Sequence, residues 1–477
     1  MQTRKDLLQA HRLMTHRASQ ALILGEPDTP EMPLRRLNVA AFMGVMVAVL
    51  VFAGFGIVGI LSPGGAQGLE QPGTIIIEKE TGARYVWCQG SKLCPVENYT
   101  SAKLLAGSSQ TGQRLVSRNS LAKYDRGPLL GIPGAPDTLP DSNKLVKMPW
   151  SVCVRAADLP LSGHTSFVTL VAGKSIGGQP LNDDEAILVQ AAKQPWVIWR
   201  NKRMRVSPDE VPALTSTASV PEVAAKWLNA LTSGSDFKGP VVPGLGGRVS
   251  GPQGEGRMGQ IFTVANVTGS SSASYVLMAD GLARISDIEA QLMKSDPSTR
   301  AALGAAANPT NLAPDAFSRA PKHVGNISSP DLQGKMPTFA QYADTSPLCA
   351  TYADESGNKG AQVTVAAQLP APPDSAIGGD NSVDQLIFPP GGAALAGVLP
   401  STGKAGAVST FYLVTEGRKF ALQSKDVAQK LGYSADTDMS RVPAGVVELI
   451  PTGPVLDPSV AARQVTQAGQ PSTQPTG

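Results

Sequence analysis

Histidine is scarce in this chain, four in 477 residues, and His11 and His16 fall within the first 36. A serine triad needs a histidine base held by a carboxylate, and beyond residue 36 only His164 and His323 remain to supply one. His164 lies in "LSGHTSF", a turn before an extended run, where a surface role fits, and neither histidine stands at metal-ligand spacing. An excess of positive charge is missing too. Lysine and arginine total 41 against 38 acidic residues with no basic stripe, so no nucleic-acid partner is expected. A Walker loop, which cradles phosphates in a glycine-rich turn followed by lysine and a hydroxyl residue, is also lacking. "GSSQTGQR" at 107–114 has Gln113 and Arg114 in the critical places, "GVLPSTGKA" at 397–405 is out of step and ends on Ala405, and "VAGKS" at 171 lacks the first glycine. "NDDEA" at 182–186 reads as a solvated acidic turn. The expectation is a protein with no catalytic constellation, no cofactor and no metal.

Charge is absent altogether from Leu37 to Leu61, "LNVAAFMGVMVAVLVFAGFGIVGIL". Such a run crosses a hydrocarbon core of roughly 30 Å. A cleaved signal peptide is the competing reading, but 36 residues precede the run, which favours a retained anchor. The leader carries Arg4, Lys5, Arg12, Arg17, Arg35 and Arg36, while residues 62–78 carry no lysine or arginine, so the N-terminus is expected in the cytoplasm and the bulk of the chain outside. Within the leader, Leu7, Leu8, His11 or Met14, Ala18 and Leu22 recur at helical spacing, an amphipathic pattern suited to a membrane surface or a partner.

All four cysteines, Cys88, Cys94, Cys153 and Cys349, follow the span, on the side where disulfides persist. Four cysteines allow three connectivities. Cys88 and Cys94 are symmetric about Ser91 and can face each other across a hairpin, which leaves Cys153 for Cys349; four buried free thiols are the alternative.

The outer region is rich in glycine (49) and proline (39), as many short strands joined by turns require. One phrase occurs four times: "RYVWCQGSKLCPV" from Arg84, "PWVIWRNKRMRVS" from Pro195, "YVLMADGLARIS" from Tyr275 and "FYLVTEGRKFALQ" from Phe411. Each is an apolar run, a turn residue at the seventh position (Gly90, Asn201, Gly281, Gly417) and a second apolar run, the pattern of a hairpin. Short helices follow, with capping-box spacing at Ser207/Glu210 and Ser286/Glu289 and Pro208 at a first helical position. Extended segments such as "GPLLGIPGAP" and "GPVVPGLG" come next. Between these units, "MPWSVCVRA", "TSFVTLVAG", "GQIFTVANV", "AQVTVAAQL" and "DQLIFPPGGAALAGVL" alternate like strands of a separate β-domain.

The predicted fold is a single-span membrane protein with an α+β ectodomain: four hairpin-helix-strand repeat domains around a central β-sheet domain. The expected divisions are a cytoplasmic amphipathic leader at 1–36, a transmembrane helix at 37–61, and repeat domain 1 at 70–136. A first central segment at 137–194, repeat domain 2 at 195–250, and repeat domain 3 with a flanking central-domain strand at 251–334 come next. A later central segment at 335–405, repeat domain 4 at 406–457 and a disordered tail at 458–477 complete the chain.

The leader "AHRLMTHRASQALILGEPDTPEMPLRR", "LCPVENYTSAKLLAG", "RGPLLGIPGAPDTLP", "WSVC", "LCATYAD" and the closing "GVVELIPTGPVLDPSVAAR" resemble the EccB family. This is the single-span core component of actinobacterial type VII (ESX) secretion systems. The resemblance implies a disulfide between Cys153 and Cys349 and a cytoplasmic-membrane complex with an EccC-like ATPase and EccD and EccE-like components, in which the chain is a homo-oligomer. Family members have been described as ATPases. The family's hairpin usually carries a histidine where Cys94 stands, so the Cys88–Cys94 pair belongs to this chain. A scaffold of the secretion complex is therefore the expected function. The alternative, a membrane-anchored extracytoplasmic cell-wall binding module, has no need of the patterned leader.

Overall fold

A computed structural model describes residues 3–25, 33–61, 68–71, 73–88, 91–107, 112–161, 163–215, 220–265, 272–372, 379, 381–400, 408 and 410–465. The chain divides into two compact units. The first comprises the N-terminal residues up to Leu69 with Glu78–Gly82 and Leu115–Asp125; the second comprises Glu70–Ile77, Ala83–Arg114 and the chain from Arg126 onward.

In the first unit, helix α1 runs Arg4–Leu24 and helix α2 runs Pro33–Leu61. Thr3 opens α1: its backbone N–H and hydroxyl both donate to the Asp6 carboxylate, at 3.1 and 2.6 Å. Helix α2 begins four residues before the apolar run because Pro33 suits a first helical turn, where its missing N–H has no intrahelical acceptor to lose. Its 29 residues rise about 43 Å.

In the second unit, the sequence alternates between runs that pair locally and runs that pair across long distances. The central sheet has the strand order Gln385–Ile387, Gly163–Ala172, Trp150–Leu159, Leu348–Tyr352, Gln362–Val365, Gln179–Pro180. Its long strands Trp150–Leu159 and Gly163–Ala172 form one antiparallel hairpin, and their inward residues Trp150, Val152, Val154, Val168 and Leu170 are fully buried. Trp227 packs into the same core and donates its Nε1–H to the Val152 carbonyl at 3.0 Å.

Among the described residues, besides a two-stranded hairpin Arg248–Gly251/Gly254–Arg257, there are four smaller sheets. The first joins Thr74–Glu78, Arg84–Cys88 and Lys92–Val96 in antiparallel order, with parallel bridges from Arg126 to Leu93 and Leu130 to Val96. The second joins Glu185–Ala191, Gln194–Trp199 and Lys202–Arg205; Thr232–Ser233 runs parallel to the third of these strands and Thr338–Phe339 parallel to the first. The third joins Ile261–Ala265, Ser272–Met278 and Gly281–Ile285, with Thr310–Asn311 parallel to the first and Lys322 bridged in parallel to Leu282. The fourth joins Ala394–Leu399, Thr410–Thr415 and Arg418–Leu422, with Met439–Pro443 parallel to the first and Thr452 and Leu456 bridged in parallel to the third.

These pairings move several expected boundaries. Glu185–Ala191, expected in the central segment 137–194, pairs with Gln194–Trp199. Ile261–Ala265, expected as a flanking central-domain strand, pairs with Ser272–Met278. From the later central segment 335–405, Ala394–Leu399 joins the fourth small sheet and Thr338–Phe339 the second. The reason is physical: a two-stranded hairpin buries too little to stand alone, so each recruits the alternating strand that precedes it. The tail also begins later than expected. Pro458–Ala461 is a helix capped by Asp457, which accepts from Ser459 N–H at 2.7 Å, and Ala461 is fully buried. The polar composition of that segment hides the apolar anchors Val460 and Ala461; residues 466–477 lie outside the described residues.

Both expected capping boxes form, at Ser207/Glu210 and Ser286/Glu289. Glu289 is buried, and its carboxylate also accepts from Ser329 N–H at 2.7 Å.

Candidate functional site

The hairpin tips, the two disulfides and the N-terminal helices are the features singled out by sequence, and each has a definite geometry. In the second and fourth hairpins the two turn residues both lie in the left-handed region: Arg200 and Asn201 at φ 47° and 60°, Glu416 and Gly417 at 50° and 74°. That is the backbone of the tight turn whose twist matches paired strands. In the third hairpin Met278 pairs with Gly281, so the turn is Ala279–Asp280 and Gly281 is the first strand residue, not a turn residue as its seventh position suggested. Its glycine has another cause: φ is 143°, and a Cβ there would lie 2.4 Å from the Pro321 carbonyl oxygen. Gly281→Ala is expected to cost about 3 kcal/mol of stability, since neither the backbone angle nor the neighbouring main chain yields easily. Gly417→Ala, with no atom near its Cβ, should cost only about 1–2 kcal/mol; chemical unfolding midpoints of the two variants check the order. Gly90 lies outside the described residues.

Both disulfides are formed. Cys153 and Cys349 are direct cross-strand partners in the central sheet, 4.0 Å apart at Cα and almost fully buried. Cys88 and Cys94 do not face each other directly: Val86 pairs with Cys94 and Cys88 with Lys92, so the bridge runs diagonally, with Cα atoms 5.9 Å apart. It lies against the backbone of Gly127, where a Cβ would come within 2.2 Å of Cys94 Sγ.

The two histidines beyond the span are placed as partners of carboxylates. His164 Nδ1 lies 3.0 Å from Asp158 and Nε2 3.2 Å from Asp344. These hydrogen bonds, Asp158 first, raise its pKa above the ordinary value. With a carboxylate on each ring nitrogen, neither is left to take a proton from a hydroxyl. His323 Nδ1 lies 2.7 Å from Asp280. In the 182–186 turn, Glu185 accepts from the Asn182 side chain at 2.9 Å, so its carboxylate serves the turn itself. Among the described residues no group of three or more His, Cys, Asp or Glu side chains is placed to hold a metal ion. The "VAGKS" segment leaves a strand at Ala172 and reaches the strand Gln179–Pro180 without entering a helix, whereas a Walker loop opens one. The other two near-matches fall partly outside the described residues.

The helices carry the remaining site. Leu7, Leu8, Met14 and Leu22 of α1 are more than half exposed. The stretch Arg36–Ile60 of α2 is apolar but for Arg36 and Asn38 at its start, and it is wholly unburied. A 25-residue apolar helix with no protein cover is what a bilayer requires. A membrane-anchored protein carrying a disulfide-bonded central sheet and several small sheets is thus the class that the fold defines.

The chain belongs to the family described as type VII secretion system ESX-1, transport TM domain B, whose model matches residues 1–468. The ESX-2 secretion system ATPase EccB2 of Mycobacterium tuberculosis is 31% identical over 351 residues, 71% of this chain and 68% of that protein. The ESX-5 secretion system ATPase EccB5 of the same species is 26% identical over 478 residues, 94% of this chain and 90% of that one. Among solved structures, a chain of an intact ESX-5 inner membrane complex matches with a TM-score of 0.62 at 22% identity, covering 99% of this chain and 98% of its own. The EccB3 dimer from the ESX-3 core complex matches with a TM-score of 0.60 at 24% identity, covering 81% and 99%. The sequence resemblance to EccB is therefore correct for nearly the whole chain.

Proposed function

We propose that this protein is a structural core subunit of a type VII (ESX) secretion complex in the cytoplasmic membrane. Its leader is cytoplasmic, one helix spans the bilayer, and the sheets lie outside. The observation that carries the reading is the extent of the family match, which takes in leader, span and outer region together. The exposed apolar residues of α1 support it, because a helix with that face is stabilised by a membrane surface or a partner. The four small sheets form one repeated unit: an antiparallel three-strand meander whose third strand gains a parallel neighbour from the extended segment that follows. Such repeats suit a surface for contacts with other subunits rather than a reaction centre.

The partners are an EccC-like ATPase and EccD and EccE-like membrane components, with a second copy of this chain, as the EccB3 dimer supports. Although relatives are named ATPases, hydrolysis is assigned to the partner: no near-match in this sequence keeps glycine spacing, lysine and hydroxyl together.

The test is extraction of native membranes in mild detergent with a C-terminal tag, followed by native gels and mass spectrometry. The full chain should bring down a large assembly containing a multi-domain ATPase and a polytopic protein, and deletion of residues 2–30 should abolish it. Recovery of the full chain alone, or with wall fragments only, would overturn the scaffold in favour of the wall-binding module.

A further inference from the structure

Arginines stand at 203 and 205 of the strand Lys202–Arg205, opposite Ile198 and Trp196 of its neighbour. Alternate residues of a strand share a face. Together with the helix Ala225–Leu228 that face borders a cavity of about 360 Å³. Trp196, Arg203, Arg205, Lys226, Asn229 and Asn381 line it, and among the described residues no carboxylate does.

The three cations are not equivalent. Lys226 is neutralised by Asp384 at 2.7 Å. Arg203 has no acidic partner among the described residues: Nη1 donates to Asn229 Oδ1 at 3.1 Å, the guanidinium lies 5.6 Å from the Trp196 ring, and Nε is buried with no acceptor. Burial lowers its pKa, as for any cation drawn from water without a counter-charge. Arg205 is exposed and forms no ion pair among the described residues. Arg205 also borders a second cavity that holds Glu210, Asp236 and Asp296, but on the Trp196 side the two guanidiniums meet no carboxylate among the described residues.

The geometry points to a carboxylate-binding subsite in this cavity, with Arg203 and Arg205 as charge partners, Trp196 as a flat wall, and Asn229 and Asn381 as amide contacts, occupied by a carboxylate of a peptide. A fixed guanidinium with free donors favours a planar carboxylate, which it binds through parallel hydrogen bonds. The neighbouring amides match peptide groups. The small volume admits one acidic side chain or one chain end.

The test uses the full-length protein in detergent, titrated by calorimetry with three capped peptides. Ac-Gly-Glu-NH2 offers only a side-chain carboxylate, Ac-Gly-Gly only a terminal one, and Ac-Gly-Gln-NH2 none. Binding of either acidic peptide with none of the glutamine peptide supports the subsite, and the one that binds identifies the carboxylate. Arg205→Gln and the charge-preserving Arg203→Lys should each weaken binding about tenfold. Arg205 is exposed, so its variant keeps the test valid if Arg203→Lys lowers the melting temperature. No binding by either acidic peptide, equal binding of the glutamine peptide, tighter binding of inorganic phosphate, or unchanged affinity in Arg205→Gln would each overturn the proposal. The leader-dependent assembly described above is unaffected by any of these outcomes.

Discussion

Asp384→Ala is expected to lower the unfolding free energy by about 3–5 kcal/mol. Asp384 is buried in the core, where one carboxylate oxygen accepts from Lys226 Nζ and the other from Val168 N–H, both at 2.7 Å. Removing it strands a lysine that is only 11% exposed at its side chain and leaves a buried backbone donor unmet. The pair joins three segments far apart in sequence: the helix Ala225–Leu228, the strand Gly163–Ala172, and the entry to Gln385–Ile387. Lys226→Met in the Asp384→Ala background should recover part of the loss, because it takes away the uncompensated charge. Chemical unfolding of the single and double variants measures both effects. A single variant as stable as the parent would mean that water reaches the pair and that the core is open there.

Sequence showed the hairpins, the caps, the span and the family, and missed this ion pair. The difference lies in the range of each interaction. A capping box is a matter of residues three apart, as at Ser286 and Glu289, and a span is a run of composition. Asp384 lies 158 positions from Lys226, in the unremarkable "SVDQLIF", and nothing local distinguishes it from a solvated loop acid. The strand Thr338–Phe339 was illegible for the same reason: two residues whose pairing with Glu185–Ala191 depends on the whole intervening chain. Gly281 shows a subtler limit. Aligning apolar runs placed it in a turn, but the third hairpin turns one residue earlier, and the glycine answers to Pro321. At the proposed subsite the alternation of Arg203 and Arg205 was visible in "NKRMRVS", but the lack of acidic neighbours emerged only from the packing.

The two disulfides should differ in energetic weight although both lie across antiparallel strands. Replacing Cys153 and Cys349 together by alanine is expected to cost about 5 kcal/mol in the chain-entropy account, and replacing Cys88 and Cys94 about 2 kcal/mol. The bridges close separations of 196 and 6 residues, and restriction of the unfolded chain grows with the logarithm of the loop. The long loop also contains the main strands of the second and third small sheets, so the central bridge fixes the segment on which the proposed subsite depends. Alanine suits the test because the bridge packs among Val171, Ile176 and Ala367, where small apolar groups remain at home. Unfolding midpoints of the two double variants, measured without reductant, decide the order. Equal losses, or a larger loss at the hairpin, would show that the short bridge acts through the native packing of Cys94 and Gly127 rather than through the unfolded chain.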